Sequence, residues 1–111
     1  MADSTEAAPK PTISVPVFTQ ELQDKEVKEG LNVTLDAKLP SESVAEVKWF
    51  KDSVPLVEDH HLTVIAAGDL HCVNIFNATV EDEAVYKIVA TNAAGSAECD
   101  CELLVEGWYQ V

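Results

Sequence analysis

Short alternations of apolar and polar residues run along most of the chain. Between residues 31 and 39, apolar side chains occupy every odd position and polar ones every even position. This is the period-two pattern of a β-strand with one solvated face. Residues 96–105 repeat it. A 3.6-residue apolar period never extends over a helical length, and only one short helical turn is predicted, near residues 81–83.

Turn-forming residues divide the rest of the chain into further short strands. Pro16 interrupts the first of them, as in an edge strand or at a bulge, and a hairpin is predicted around residues 67–69. Seven or eight short strands within 100 residues predict an all-β sandwich of two antiparallel sheets. The strands come from nine candidate segments: 13–19, 24–29, 31–39, 44–51, 54–56, 61–66, 70–76, 85–91 and 96–105.

The pattern divides the chain into three parts. Residues 1–12 are small and polar and include proline, so we expect a disordered lead-in or linker there. Residues 13–105 form the predicted domain, and residues 106–111 form a C-terminal linker or tail. A chain of 111 residues with 47% apolar content suits one domain with a core that needs no disulfide or metal.

Charge and cysteine content narrow the class of partner. The net charge is −13, and all seven basic residues are lysines. Nucleic acid and anionic membranes both attract basic surfaces, so we expect neither as a partner. The N-terminal residues lack the apolar run of a signal peptide, and no apolar stretch is long enough to span a membrane. Three cysteines cannot all pair within one chain, which favours a reducing compartment.

Four motifs follow one another along the chain: VPVFTQELQDKEVKEG (15–30), VKWFKDSVPL (47–56), VNIFNATVEDEAVYKIVATNAAG (73–95) and AECDCELLVEG (97–107). In this order they resemble the immunoglobulin domains of the intermediate (I) set found in giant muscle proteins such as titin, twitchin and obscurin, and in myosin light chain kinase. The resemblance covers about residues 15–105.

The resemblance implies a core and a tyrosine corner. Trp49 is expected between the sheets, and the Tyr86 hydroxyl is expected to bond to the main chain near Asp82. Ala37 and Ile88 stand where many immunoglobulin domains carry the inter-sheet disulfide, so no core disulfide is expected. Ala84 replaces a usual glycine and suits the site if its φ is negative. The expected core residues are Trp49, Tyr86, Ala37, Ile88, Leu35, Val73, Ile75 and Leu103.

Candidate chemistry along the chain is sparse. Cys72 alternates out of phase with its apolar neighbours, so we predict an exposed thiol, whereas Cys99 and Cys101 are expected to face inward. Three histidines and three cysteines lack metal-ligand spacing, so neither a metal nor a cofactor is predicted. The two Asn-x-Thr sequences at Asn32 and Asn77 matter only in the secretory pathway.

Two acidic clusters, at residues 58–59 and 81–83, are interpreted as solvated loops. Phosphate-binding loops, nucleophile elbows and catalytic triads are absent from the sequence. We therefore assign no catalytic residue and predict that the domain is not an enzyme.

The family implies a structural and protein-binding module of a modular sarcomeric or cytoskeletal protein in the cytoplasm. Such a domain acts as a spacer, an elastic unit or a docking surface. Its expected partners are proteins such as myosin, actin or neighbouring immunoglobulin and fibronectin domains, and the domain itself is expected to be monomeric. The alternative is an extracellular cell-adhesion or receptor module, which the two glycosylation sequences favour and the missing disulfide disfavours.

The sequence also yields a prediction about its first strand. We hypothesise that residues 13–19 and 96–105 carry the mechanical pairing of the domain. Deleting residues 13–19 should then lower the thermal unfolding temperature clearly, and an unchanged temperature would contradict the hypothesis.

Overall fold

The structure is a computed structural model that describes residues 14–40 and 46–107. The predicted lead-in, residues 41–45 and most of the predicted C-terminal tail fall outside these ranges. The described chain forms eight strands and one short 3₁₀ turn, Val80–Asp82, where a helical turn was expected. The strands are β1 Lys25–Lys28, β2 Val33–Lys38, β3 Glu46–Lys51, β4 Val54–Pro55, β5 Leu62–Ala67, β6 Leu70–Ile75, β7 Ala84–Asn92 and β8 Gly95–Glu106.

The strands form two sheets that pack as a sandwich. One sheet has five strands in the order β1-β8-β7-β3-β4, and the other has three in the order β2-β6-β5. All described strand pairings are antiparallel except that of β1 with β8, which is parallel. A parallel pair needs a crossover, and β1 and β8 are the first and last strands of the fold.

The segment that precedes β1 differs from its prediction. Residues 14–18 form no strand, and the single bridge nearby joins Gln20 to Lys38 at the end of β2. Pro16 is fully buried and has no N–H group to offer a ladder. The hypothesis that residues 13–19 pair with β8 is therefore wrong for the described residues. Residues 25–28 make that pairing, and we call residues 14–24 the strap.

Alternating side chains from both sheets fill the space between them. The eight residues expected in the core are between 0% and 7% exposed, as period-two strands with one inner face require. Leu35, Val73 and Ile75 come from the three-stranded sheet, and Ile88 and Leu103 come from the five-stranded sheet.

Two tight turns connect neighbouring strands where the backbone requires positive φ. Asp52 and Ser53, between β3 and β4, have φ values of 48° and 70°, as the central residues of a type I′ turn do. Gly68 begins the two-residue turn of the β5–β6 hairpin with a φ of 58°, which glycine adopts without steric cost. No helix among the described residues has the length and apolarity to cross a membrane.

The core makes a measurable contribution to stability. Ile88 is fully buried, so Ile88→Ala should lower the free energy of unfolding by about 2–5 kcal/mol through lost apolar contacts and a cavity. Val57 is 75% exposed, and Val57→Ala, the matched control, should change it by less than about 0.5 kcal/mol. Urea unfolding curves measure both values. Equal effects would show that Ile88 is not a core residue.

Candidate interaction surface

Tyr86 anchors the junction between the 3₁₀ turn and β7. Its hydroxyl donates a 2.6 Å hydrogen bond to the main-chain carbonyl of Asp82, and its side chain is fully buried. Burial and the neighbouring Asp82 carboxylate raise the pKa of the phenol well above its usual range. The phenol therefore stays protonated and keeps donating this bond at physiological pH.

The Asp82 carboxylate extends the same junction to the other sheet. Its Oδ2 atom accepts the Thr79 N–H at 2.8 Å and lies 2.8 Å from His61 Nε2. His61 immediately precedes β5, so the contact joins the three-stranded sheet to the turn that leads into β7. Sequence reasoning missed this contact, because a separation of 21 residues leaves no periodic signal.

Cys72 is not the exposed thiol that its strand phase predicted. It does alternate out of phase with the core residues Val73 and His71, but it is only 5% exposed. Cys72 lies on the central strand of its sheet, between Asp36 on β2 and Ile65 on β5. Burial, and then the charge of Asp36, raise the pKa of the thiol, which makes it less reactive.

The other two thiols line the inner face of β8. Cys101 is buried and Cys99 is partly buried, and all three cysteines are unpaired. Burial is the main cause that raises the pKa of Cys99, and it raises that of Cys101 to about 12. The Leu22 N–H donates to Cys99 Sγ at 3.4 Å, which holds the strap against β8. Within residues 14–40 and 46–107, no group of His, Cys, Asp or Glu side chains is arranged to hold a metal ion.

The acidic clusters are not simply solvated loops. Glu58 and Asp59 accept hydrogen bonds from the N–H groups of Val64 and Leu62, at 2.7 Å and 3.0 Å. Since these N–H groups lie on the outer edge of β5, the two carboxylates occupy positions that a further strand would need. Bonds to the main chain at His61 and Leu62 lower the pKa of Asp59. These two N–H groups on the edge of β5 are therefore not available to an added strand.

The edge of β8 is open by contrast. Toward this edge, the Glu102 N–H donates to Asp24 Oδ1 and the Glu106 carbonyl accepts the Glu29 N–H, both at 2.8 Å. Backbone groups alternate in direction along a strand, and β8 pairs with β7 without a bulge. The main-chain groups of Ser96, Glu98 and Asp100 therefore point to the same edge. They have no hydrogen-bond partner there in the described part of the chain.

Charge on the outer face of the five-stranded sheet is mainly negative near this edge. Every second residue of β8 in this stretch is acidic and exposed, namely Glu98, Asp100 and Glu102. Lys87 on β7 lies 3.8 Å from Glu98, and its ammonium is 5.8 Å from the centre of the Phe50 ring. The open edge thus combines unpaired main-chain groups with a row of carboxylates.

The two glycosylation sequences lie next to each other in space. The Asn77 N–H donates to Asn32 Oδ1 at 3.0 Å, and both asparagines are exposed. Asn77 has a φ of 54°, a conformation that asparagine tolerates better than most residues. The contact gives the Asn32 side chain a structural role in the turn after β6.

Residues 16–105 match the family model of the immunoglobulin I-set domain. The chain belongs to the immunoglobulin I-set family. The match spans the strap from residue 16 onward, the 3₁₀ turn and all eight strands, apart from the last residue of β8.

Similar proteins come from muscle. Over 110 residues, or 95% of the chain, this I-set domain is 36% identical to smooth muscle myosin light chain kinase of Gallus gallus, of which it spans only 6%. The titin M3 domain has a similar structure, with 33% identity and a TM-score of 0.78 over 82% of this chain and 96% of that one. A chain of the titin M10–obscurin-like 1 immunoglobulin complex gives 26% identity and a TM-score of 0.80, over 86% and 97%.

The departures from the family pattern fit the structure. Ala37 and Ile88 are both fully buried, so apolar packing fills the space that a disulfide occupies in many immunoglobulin domains. Ala84 is not among the described residues with positive φ, and it therefore takes the place of a glycine without backbone strain.

The buried thiols generate a prediction about pH. A raised folded pKa means that the folded state holds its proton more tightly than the unfolded state. This contribution to stability is complete below the pKa of an unfolded thiol, about 8.5, and is lost as pH rises toward the folded value of about 12 for Cys101. We expect the free energy of unfolding to fall between pH 8 and pH 11. The Cys101→Ala variant should show a shallower fall, and an equal fall in both proteins would contradict the assignment.

Proposed function

We propose that this I-set domain is a non-catalytic structural and protein-binding module of a modular muscle cytoskeletal protein in the cytoplasm. It acts as a spacer or elastic unit and offers a docking surface. Its similarity to myosin light chain kinase and to titin domains supports this context. Unpaired thiols in the core suit a reducing compartment.

The observation that carries the mechanical part is the parallel pairing of β1 with β8. Lys25 to Lys28 pair in register with Leu103 to Glu106. A pull on the chain before β1 and after β8 draws these two strands past each other along their length. The hydrogen bonds of the ladder then share the load, whereas a pull across the strands would break them one at a time.

Docking is supported by the open edge of β8 and by a structural relative. Exposed strand edges accept further strands, and one of the matched chains belongs to a complex of titin M10 with an immunoglobulin domain of obscurin-like 1. Myosin, actin and neighbouring immunoglobulin or fibronectin domains are the partners we propose for this chain. An extracellular adhesion module is the second candidate, because Asn32 and Asn77 are both exposed within glycosylation sequences.

Single-molecule force spectroscopy tests the mechanical role. The Glu29 N–H points to β8, so the Lys25 N–H, four residues earlier, points the same way, and the Glu26 N–H points away. Lys25→Pro should lower the unfolding force and reduce equilibrium stability by about 1 kcal/mol, because it removes a ladder bond. Glu26→Pro, the matched control, should leave the force near its original value. Equal forces in all three proteins would show that the β1–β8 ladder does not bear the load.

Capture from muscle lysate under reducing conditions tests docking separately. Recovery of myosin, actin or another sarcomeric protein would support the docking role. Recovery of nothing specific would leave a spacer without docking. Secretory expression followed by mass measurement tests the extracellular alternative, which requires glycans on Asn32 or Asn77.

A further inference from the structure

We propose that the open edge of β8, from Ser96 to Asp100, binds an extended segment of a partner protein in which lysine or arginine occupies every second position. The inference deepens the docking part of the proposed function and rests on it.

The main chain of β8 supplies the backbone part of the contact. The N–H and carbonyl groups of Ser96, Glu98 and Asp100 point away from β7 and have no partner in the described part of the chain. At one end of this stretch Asp24 already occupies the Glu102 N–H, and at the other end the strap contacts Gly95 through Val15. The open edge is therefore five residues long, or about 17 Å at the rise of a strand.

The side chains of β8 select the charge of the partner. Glu98 and Asp100 are exposed on the outer face of the sheet, and Lys87 is the cation that lies near Glu98. Residues directly opposite on neighbouring strands bring their Cβ atoms within about 5.5 Å, where opposite charges attract and like charges repel. Every second side chain of an added strand would face these carboxylates, so a basic residue fits there.

The intervening side chains of the partner would face the other way, toward the strap. On that side β8 presents Ala97 and Cys99, which are small and partly buried. Leu22 of the strap lies beside Cys99 through the N–H to Sγ contact of 3.4 Å. Small or apolar residues fit this position, since a charged group there would lose hydration without a counter-charge.

The same charges argue against a second copy of this chain as the occupant. The protein carries a net charge of −13, and a β8–β8 pairing would bring Glu98 and Asp100 of two copies together. Like charges directly opposite each other destabilise a strand pair. The row of carboxylates on β8 therefore favours a partner strand of opposite charge.

Three synthetic peptides test the proposal against the intact domain by isothermal titration calorimetry. The first is a capped seven-residue peptide that alternates lysine with valine or threonine. The other two carry three N-methyl groups each, either on lysine nitrogens or on the intervening nitrogens, so that charge and mass are matched. Only one set of peptide N–H groups faces β8 in a paired strand, so one isomer should bind like the parent and the other should lose binding. The isomer that binds reports whether the pairing is antiparallel or parallel.

Protein variants locate the contact. Asp100→Lys should weaken binding of the parent peptide about fivefold, because it replaces an attractive cross-strand pair with a repulsive one. Glu81→Lys, with the same charge change in the 3₁₀ turn, should weaken binding by less than about twofold in 0.15 M salt. Glu98→Pro removes an edge N–H that β7 does not use and should abolish binding, provided that circular dichroism shows a folded protein.

Two results would overturn the proposal. Equal binding of both methylated isomers would show attraction by charge without strand pairing, and absence of binding by the parent peptide would exclude the edge as a site for basic segments. Neither result touches the mechanical role, which the force measurements on Lys25→Pro test independently.

Discussion

Apolar packing between the two sheets is the constraint on which the rest of this molecule depends. Ala37 from one sheet and Ile88 from the other are both fully buried at positions where many immunoglobulin domains place a covalent link. Tyr86 and Leu103 are fully buried as well. Close-packed interiors tolerate little change in volume. The packing of these side chains therefore sets the distance between the two sheets and the orientation of their edge strands.

Polar contacts at one end of the sandwich hold the packing in a single arrangement. Tyr86 bonds to the main chain at Asp82, while the carboxylate of Asp82 reaches Thr79 and His61. Buried polar groups are costly unless they are paired, and the contact between Asp82 and His61 forms only when β5 and the turn before β7 occupy their native positions. The corner therefore adds specificity to a core whose apolar contacts are non-directional.

The edges of the two sheets differ in how far their main-chain groups are already occupied. Carboxylates from Glu58 and Asp59 occupy the N–H groups on the edge of β5, whereas β1 covers only the last third of β8. The strap crosses to Lys38 on β2 and leaves the first half of β8 without a neighbouring strand on that edge in the described chain. Side chains therefore occupy part of the β5 edge, whereas β8 keeps a short, open acidic edge beside the β1–β8 ladder.

Local periodicity in the sequence determined most of the strands and the inner face of the sandwich, because side-chain direction alternates along a strand whatever its neighbours are. The β5–β6 hairpin and the β7 and β8 strands agree with this pattern to within a residue or two. The family motifs added the tyrosine corner, which depends on residues only four positions apart.

Only the tertiary structure decided what depends on neighbours distant in the chain. Cys72 does point out of the core, but side chains on both adjacent strands cover it. The main-chain bridge of the strap goes to β2 and not to β8, and the acidic loop residues bond to strand edges and to His61. Exposure and edge pairing are properties of the assembled sheets, so a single strand's pattern carries no information about them.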